Sequence, residues 1–512
     1  MTRGRFFDNK LDILQPIDNG EKFGQFKVKT LQKTYSVDLM KYVVDTLAYD
    51  PATRPTRDQL LEHFNEVIKI YEEETSAEQP AAHQSPGEDL YQPKNPSESA
   101  LIPKGLVKKH GEVYSTIMTT VNERNRAGRR GPRIVVITDL AKDYDDLIAM
   151  ILLKELHRLG VLTLVGFVAN LMPAERRARF GRGALDVLGL KKVPIAIGSR
   201  GDFSKDHKVL PHEFANVTFW PPDEMQYEDG QELLRQLFTE AAENEENKTT
   251  LLCLSSLSDI RGFAEKSPQL LKNALQSVVL QGGYSIIDGK LISDSQAQNN
   301  KFDLEAAQIF HTFMQDNQIP STAYTKVATF ATPIYKEFLI ELDKTEISLG
   351  HYLRCVQESQ DLLFYQASCG IETRYATYMD QEWYLRNKTS WYEKPHEPDE
   401  EPPVDEEILP WLDKVTAYDC LAALGAAGDE VVDALGFLTP REKRIRKDVD
   451  NEIHKVVGVP EIPNPVVQEP KLPPLEPSDP CVDGKVFSNA IQALVLGSLL
   501  AVKQGLKTET EE

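Results

Sequence analysis

Residues 133 to 153 read RIVVITDLAKDYDDLIAMILL. Ile134 to Ile137 form a short unbroken apolar run, the pattern of a strand buried on both faces, as in a parallel sheet. Polarity then changes abruptly, and Asp139, Asp143, Asp145 and Asp146 crowd into eight positions. A second apolar stretch follows, Leu147 to Leu153 and on to Leu156, long enough for a helix. The pattern predicts strand, loop and helix, with the aspartates in the loop. That carboxyl end of the strands is where open α/β sheets bind ligands. Carboxylates crowded together repel, and a hard divalent cation with oxygen ligands relieves the repulsion. Taken singly, an aspartate before a helix is more often a cap that complements the helix dipole. Four behind one apolar strand point instead to a site.

Working outward, strand and helix patterns alternate, which indicates an α/β fold built on an open, mostly parallel sheet with helices on both faces. Further strands are expected at Leu162–Ala169, Val193–Ile197, Thr250–Leu254, Ser277–Leu280 and Thr325–Ala328. Helices are expected at Asp145–Leu159, Ala174–Leu188, Glu232–Ala242, Asp259–Glu265, Leu304–Phe313, Leu349–Ser368 and Trp411–Ala426. The domain so defined spans 132–437. Its stretch 391–410, WYEKPHEPDEEPPVDEEILP, is acidic and proline-rich and reads as an exposed insertion.

The flanks differ in character. Residues 1–74 read as a small helical extension, and 75–131 as a linker, largely disordered, because it is rich in Glu, Ser, Pro, Gln and Ala; a short helix is expected between Gly105 and Asn122. Residues 438–512 hold a proline-rich extended stretch, Glu461 to Asp479, and a helix from Val486 to Lys503 that packs back on the core or binds a partner. No internal repeat is present.

The chain has 512 residues, 41% of them hydrophobic and 27% charged, an ordinary globular composition. A net charge of −21 argues against nucleic-acid and anionic-membrane partners. The basic run Arg124 to Arg133 reads as a domain edge rather than a binding patch. Five scattered cysteines without a CxxC pair give no zinc motif and no disulfide framework, which suits a reducing compartment. The first residues lack the apolar core of a signal peptide, and no run of 18 apolar residues appears, so a cytoplasmic location is expected.

Two resemblances emerge. Leu47 to Phe64, LAYDPATRPTRDQLLEHF, resembles the end of a protein-kinase C-lobe. No glycine-rich loop, HRD or DFG accompanies it, and it implies no phosphotransfer. The second is broader. Thr138-Asp139, then Asp145-Asp146 and an apolar helix, resembles the opening signature of the inosine–uridine preferring nucleoside hydrolase family. Val165 to Asn170, Leu252 to Asp259, Val278 to Gly283, Asn299-(x)₃-Asp303 and Tyr418-Asp419-(x)₂-Ala422 resemble its later motifs, in the same order, over roughly residues 132 to 437.

The resemblance implies a Ca²⁺ site of Asp139, Asp146 and Asp419 through carboxylates, with Ser258 contributing its backbone carbonyl. It implies Asp139 as general base for a water, Tyr418 at the leaving base, and Asp145, Asn170 and Asn299 on the ribose hydroxyls. The expected reaction is hydrolysis of a ribonucleoside to ribose and free base, passing an oxocarbenium-like state that nearby carboxylates stabilise. Oligomers are common in that family, so a homo-oligomer is a further expectation. The chain departs from the family at four positions: Ile137 stands at the first Asp of the signature, Ala141 at the turn glycine, Ala297 at a Glu that meets the 5′ hydroxyl, and Tyr418 at a late His. These changes bear on the substrate more than on the metal. The competing expectation is a ribosyl-ligand sensor or scaffold on the same fold.

Overall fold

A computed structural model of the chain describes residues 90–91, 101–202, 209–287, 289–375, 379–393, 400–439, 453–459 and 479–506. All belong to the unit Asp89–Glu512. The helical extension 1–74 with its kinase-like passage, most of the linker before residue 101 and most of the stretch Glu461 to Asp479 lie outside the described residues.

The chain builds the open parallel sheet that its alternating pattern predicts. Its strands are β1 (Arg133–Thr138), β2 (Thr163–Ala169), β3 (Ile195–Ile197), β4 (Thr249–Cys253), β5 (Leu275–Gln281), β6 (Ser321–Tyr324) and β7 (His454–Val457). They lie in the order β7-β6-β5-β4-β1-β2-β3, with every neighbouring pair parallel. From β1 the chain winds outward through β2 to β3; from β4 it winds the other way. The reversal falls between β1 and β4, and crevices at such switch points are where open α/β sheets bind ligands. Ile134, Val135, Val136 and Ile137 are all fully buried, as a strand with both faces covered requires.

Helices flank the sheet: α1 (Lys108–Arg126), α2 (Asp145–Arg158), α3 (Ala174–Val187), α4 (Ser258–Lys266), α5 (Gln298–Lys301), α6 (Ser348–Cys369), α7 (Tyr418–Gly425) and α8 (Gly484–Lys503). The helix expected near residues 105 to 122 is therefore α1, and it is part of the core rather than the tail of a linker. Tyr114 of α1 is fully buried and donates to Glu155 of α2 at 2.7 Å. Burial alone would raise the Glu155 carboxyl, but Lys154 and Arg158 outweigh it and hold the group at about 2. Gly497 of α8 packs so closely on the Tyr114 hydroxyl that a Cβ there would lie 1.9 Å from it. Helix α8 is long and apolar enough to cross a membrane, with a mean hydropathy of 1.5. Here Ile491, Leu494, Val495 and Leu499 are fully buried in the protein.

Four sequence expectations are corrected. The strand expected at Thr325–Ala328 lies earlier, at β6, because Thr325 caps the next helix: its Oγ1 accepts from the Val327 amide at 3.2 Å. The helix expected from Trp411 begins only at Tyr418, since Lys414–Val415 pairs as a short antiparallel strand with Ile334–Tyr335. The acidic insertion is not simply exposed. Within it Ile408 joins Trp391, Leu412, Tyr365, Tyr384 and Leu385 in a second apolar cluster, which forms a cap on the sheet's carboxyl side. The boundary at 437 is also too early, because β7 adds an edge strand from beyond it.

At that edge His311 is fully buried, bonded through Nδ1 to Ser293 Oγ at 2.7 Å and packed against Tyr284 and near His454. Burial, with a smaller contribution from His454, lowers its pKa to about 3. A folded pKa below the unfolded value of about 6.5 means that the neutral ring's stability is complete above pH 6.5 and lost as pH falls toward 3. Protonation of His311 in the unfolded chain should thus cost about 2 kcal/mol of stability by pH 5. Urea denaturation at pH 7 and pH 5 checks this. His311→Gln should lose distinctly less stability between the two than the parent chain does; an identical loss would contradict the assignment.

Candidate active site

The loop between β1 and α2 is tightly wound. Ala141, where the resembling family has glycine, adopts a left-handed conformation with φ 66°. Side chains rarely adopt that conformation, at a cost of roughly 1–2 kcal/mol. The loop is held from below by Arg177 of α3, which is fully buried. Its guanidinium donates to the Asp139 and Leu140 carbonyls at 3.3 and 3.0 Å, to Met172 O at 2.8 Å, and to Glu213 at 2.6 Å. Glu213 in turn accepts from Lys142 at 3.0 Å.

This winding brings the aspartates together. Asp145, Asp146 and Asp419 are buried, and each offers a carboxylate oxygen within 4.8 Å of the others. Asp146 accepts from the Asp139 amide at 3.1 Å and from the Thr138 hydroxyl. Asp419 arrives from the first turn of α7, on the far side of the sequence. Burial raises every carboxyl in the group. Asp139 rises to about 7, with Arg177 opposing the shift and Asp143 adding to it. Asp145 rises to about 8, through burial and then repulsion from Asp143 and Asp139. Asp146 and Asp419 rise well above the usual carboxylate range, where burial is reinforced by the neighbouring aspartates. Two such charges within 4.8 Å repel by about 3 kcal/mol or more at an effective dielectric constant of 20. Lone buried carboxylates would be costly, and the oxygen-rich set fits a hard divalent cation.

The aspartates open into a cavity of about 280 Å³. Asp139, Asp145, Asp146, Asp419, Tyr418 and Asn299 all line it, so six of the eight predicted site residues converge there. Asn299 Nδ2 donates to the Leu254 carbonyl at 2.9 Å and to Gln281 Oε1 at 2.7 Å. The other two lie elsewhere. Asn170 does not line the cavity; its carboxamide bonds Ser256 O, Asp259 and Ser255 at 2.6 to 3.0 Å, which braces the loop after β4. Ser258 does not line it either; its hydroxyl donates to Asp303, which caps the helix after α5. The residue of the β4 loop that does reach the cavity is Leu254, whose carbonyl Asn299 holds.

The cap supplies much of the rest of the wall, and its residues were not expected from sequence. Gln360 of α6 donates to Asp143 at 2.9 Å and accepts from the Tyr144 amide at 3.1 Å. Lys388 pairs with Asp361 at 3.2 Å, nearly buried, and donates to Thr416 at 3.0 Å. Tyr418, Phe330, Trp383, Phe364 and Tyr375 form a continuous aromatic surface, with successive ring centroids 5.0 to 6.0 Å apart. Tyr418 apart, these residues come from separate loops and helices, so no local pattern announces them.

No protein-family model matches the sequence, and no curated protein does. Solved structures match the fold. The type III effector protein XopQ, solved with adenosine diphosphate ribose, is 20% identical with a TM-score of 0.55, over 78% of this chain and 99% of that one. The effector protein XOO4466 is 19% identical with a TM-score of 0.55, over 77% and 98%. A purine-preferring ribonucleoside hydrolase from Gardnerella vaginalis is 16% identical with a TM-score of 0.44, over 71% and 99%. At these identities the likeness is one of fold.

A buried acid cluster makes a direct prediction. Thermal melts with a chelator should show Asp419→Asn stabilising the chain by roughly 1–3 kcal/mol, since it removes a buried charge among like charges. Added calcium should raise the melting temperature of the parent chain and not of this variant. A parent chain indifferent to calcium would remove the basis for a cation at the cluster.

Proposed function

We propose that the chain is a Ca²⁺-dependent N-ribohydrolase that cleaves a ribonucleoside to ribose and free base. The observation that carries this reading is the convergence of four buried carboxylates, Asp139, Asp145, Asp146 and Asp419, with Asn299 in one cavity at the sheet's switch point. Asp139, Asp146 and Asp419 are the assigned calcium ligands, and Asp145 is near enough to Asp146 and Asp419 to contact the same ion or a hydroxyl beside it. The backbone ligand is assigned to the loop after β4, at the Ser258 carbonyl implied by the resemblance; Leu254 is the residue of that loop that lines the cavity. When bound, the ion neutralises the cluster and orients a ribose diol.

The chain's own residues then have definite tasks. Asn299 has its Nδ2 engaged, which leaves Oδ1 to accept from a ribose hydroxyl. Asp139 takes a proton from the attacking water. The water oxygen bonds to C1′ as the C1′–N bond breaks, and the electron pair leaves on the base nitrogen. Tyr418 is the assigned donor of a proton to that base. The aromatic surface of Phe330, Trp383 and Tyr418 suits a planar heterocycle. Asn170 becomes a positioning residue that steadies the β4 loop, in place of the direct ribose contact first expected of it.

A second reading, ribosyl-ligand binding without turnover, has its own support. Ala297 lines the cavity where the resembling family carries Glu, and the effector of similar fold was solved with adenosine diphosphate ribose.

Ribose release from a panel of purine, pyrimidine and modified ribonucleosides separates the two. Release should be sensitive to chelator, and Asp139→Asn should lower it by roughly 10²–10⁴-fold, the usual contribution of a general base. An active Asp139→Asn variant would sink the assignment of the base. Binding of a nucleoside without any release would favour the second reading.

A further inference from the structure

Gln281 closes β5 at the carboxyl edge of the sheet, on the strand next to β4, and it lines the cavity. The orientation of its carboxamide follows from its neighbours. Asn299 Nδ2 lies 2.9 Å from the Leu254 carbonyl and 3.2 Å from the Gln281 backbone carbonyl. Backbone carbonyls only accept, so the nitrogen end of the Asn299 amide must be the end that points there. The same Nδ2 lies 2.7 Å from the Gln281 side chain, so the atom facing it must be the acceptor Oε1. Gln281 Nε2 is then the other end of a fixed amide. It carries two N–H donors and bonds to nothing among the described residues. Asn299 Oδ1 is likewise unengaged. Two carboxamides locked to one another thus line one cavity with opposite groups unused, a donor on Gln281 and an acceptor on Asn299. A sugar hydroxyl can accept from the first and donate to the second, and a pair of hydroxyls can use them separately. Bracing Asn299 requires only Oε1, which a glutamate would supply equally; a glutamine adds the donor.

We propose that Gln281 is a specificity-determining residue that donates from Nε2 to a ribosyl oxygen beside Asn299, so that the two carboxamides select ligands by the hydroxyls of the sugar. This rests on the ribosyl reading of the cavity, and the test separates failure of the one from failure of the other.

Calorimetric titration of the full chain with calcium present tests it, using adenosine and its 2′-deoxy, 3′-deoxy and 5′-deoxy analogues as ligands. Each analogue's loss of affinity relative to adenosine is compared between the parent chain, Gln281→Met and Gln281→Glu. Methionine removes both ends of the amide at similar length, whereas glutamate keeps an acceptor for Asn299 and removes the donor. The added charge of Gln281→Glu acts on all four ligands alike and cancels in the comparison. For one analogue, the loss should shrink by about fivefold or more in both variants, the scale of one hydrogen bond, while the other two analogues keep their losses. Losses unchanged in both variants, even with every ligand uniformly weakened, would overturn the contact and leave the ribosyl reading standing. A loss that shrinks with methionine but survives with glutamate would mean that Gln281 only braces Asn299, and would also overturn it. A parent chain that binds none of the four ligands would overturn the ribosyl reading, and this assignment with it.

Discussion

Three buried carboxylates, Asp145, Asp146 and Asp419, with oxygens within 4.8 Å of one another, and a fourth, Asp139, in the same cavity, are the constraint around which the rest is arranged. Nothing about a hydrophobic core favours such a cluster, since each neighbour raises the cost of the next charge. The chain carries this cost at the one point where the strand order reverses, between β1 and β4. There the loops part and leave a crevice, and the apolar run Ile134 to Ile137 anchors the loop from beneath. Arg177 supplies the opposing charge from below, through the Asp139 and Leu140 carbonyls and the pair with Glu213. On the proposed reading, the far side is left to a cation and a ligand.

The cap follows from the same constraint. A second apolar cluster, built on Tyr365, Tyr384, Trp391 and Ile408, fixes the C-terminal half of α6 and residues 381–388 over the mouth of the cavity. From it Gln360 reaches Asp143, and Lys388 reaches Thr416. The Thr416 amide donates to the Tyr144 hydroxyl at 3.1 Å, so the cap is tied to the aspartate loop by polar contacts as well as packing. The wall of the cavity differs in character around its circumference, acidic at the sheet, aromatic and cationic elsewhere.

What could be read from the sequence follows a physical division. The sheet was legible because strands covered on both faces leave continuous apolar runs, and β1, β2, β4 and β5 each fall within two residues of expectation. Asp139, Asp145 and Asp146 were legible because they share one loop, and Asp419 because a carboxylate in an apolar helix needs a reason. Asn170 and Ser258 stand apart from the other six, because neither lines the cavity. Motif position says which loop a residue belongs to, but a carboxamide can turn toward the ligand or toward its own scaffold, and the Asn170 carboxamide turns toward the scaffold. The cap was illegible because its residues gather from α6, the 381–388 helix and the acidic stretch through tertiary packing alone. The edge strand β7 was missed since four residues, HKVV, carry too little pattern to stand out.

On the proposed reading, a cation at the aspartate cluster is what makes the cavity a ribosyl site. The most direct test is the affinity of the full chain for a fixed ribosyl ligand, measured by titration first with millimolar calcium and then with excess chelator. Binding should be tighter by about tenfold or more with calcium. Equal affinity in the two conditions would mean that the carboxylates recognise the ligand, or serve the fold, without a metal, and would contradict it.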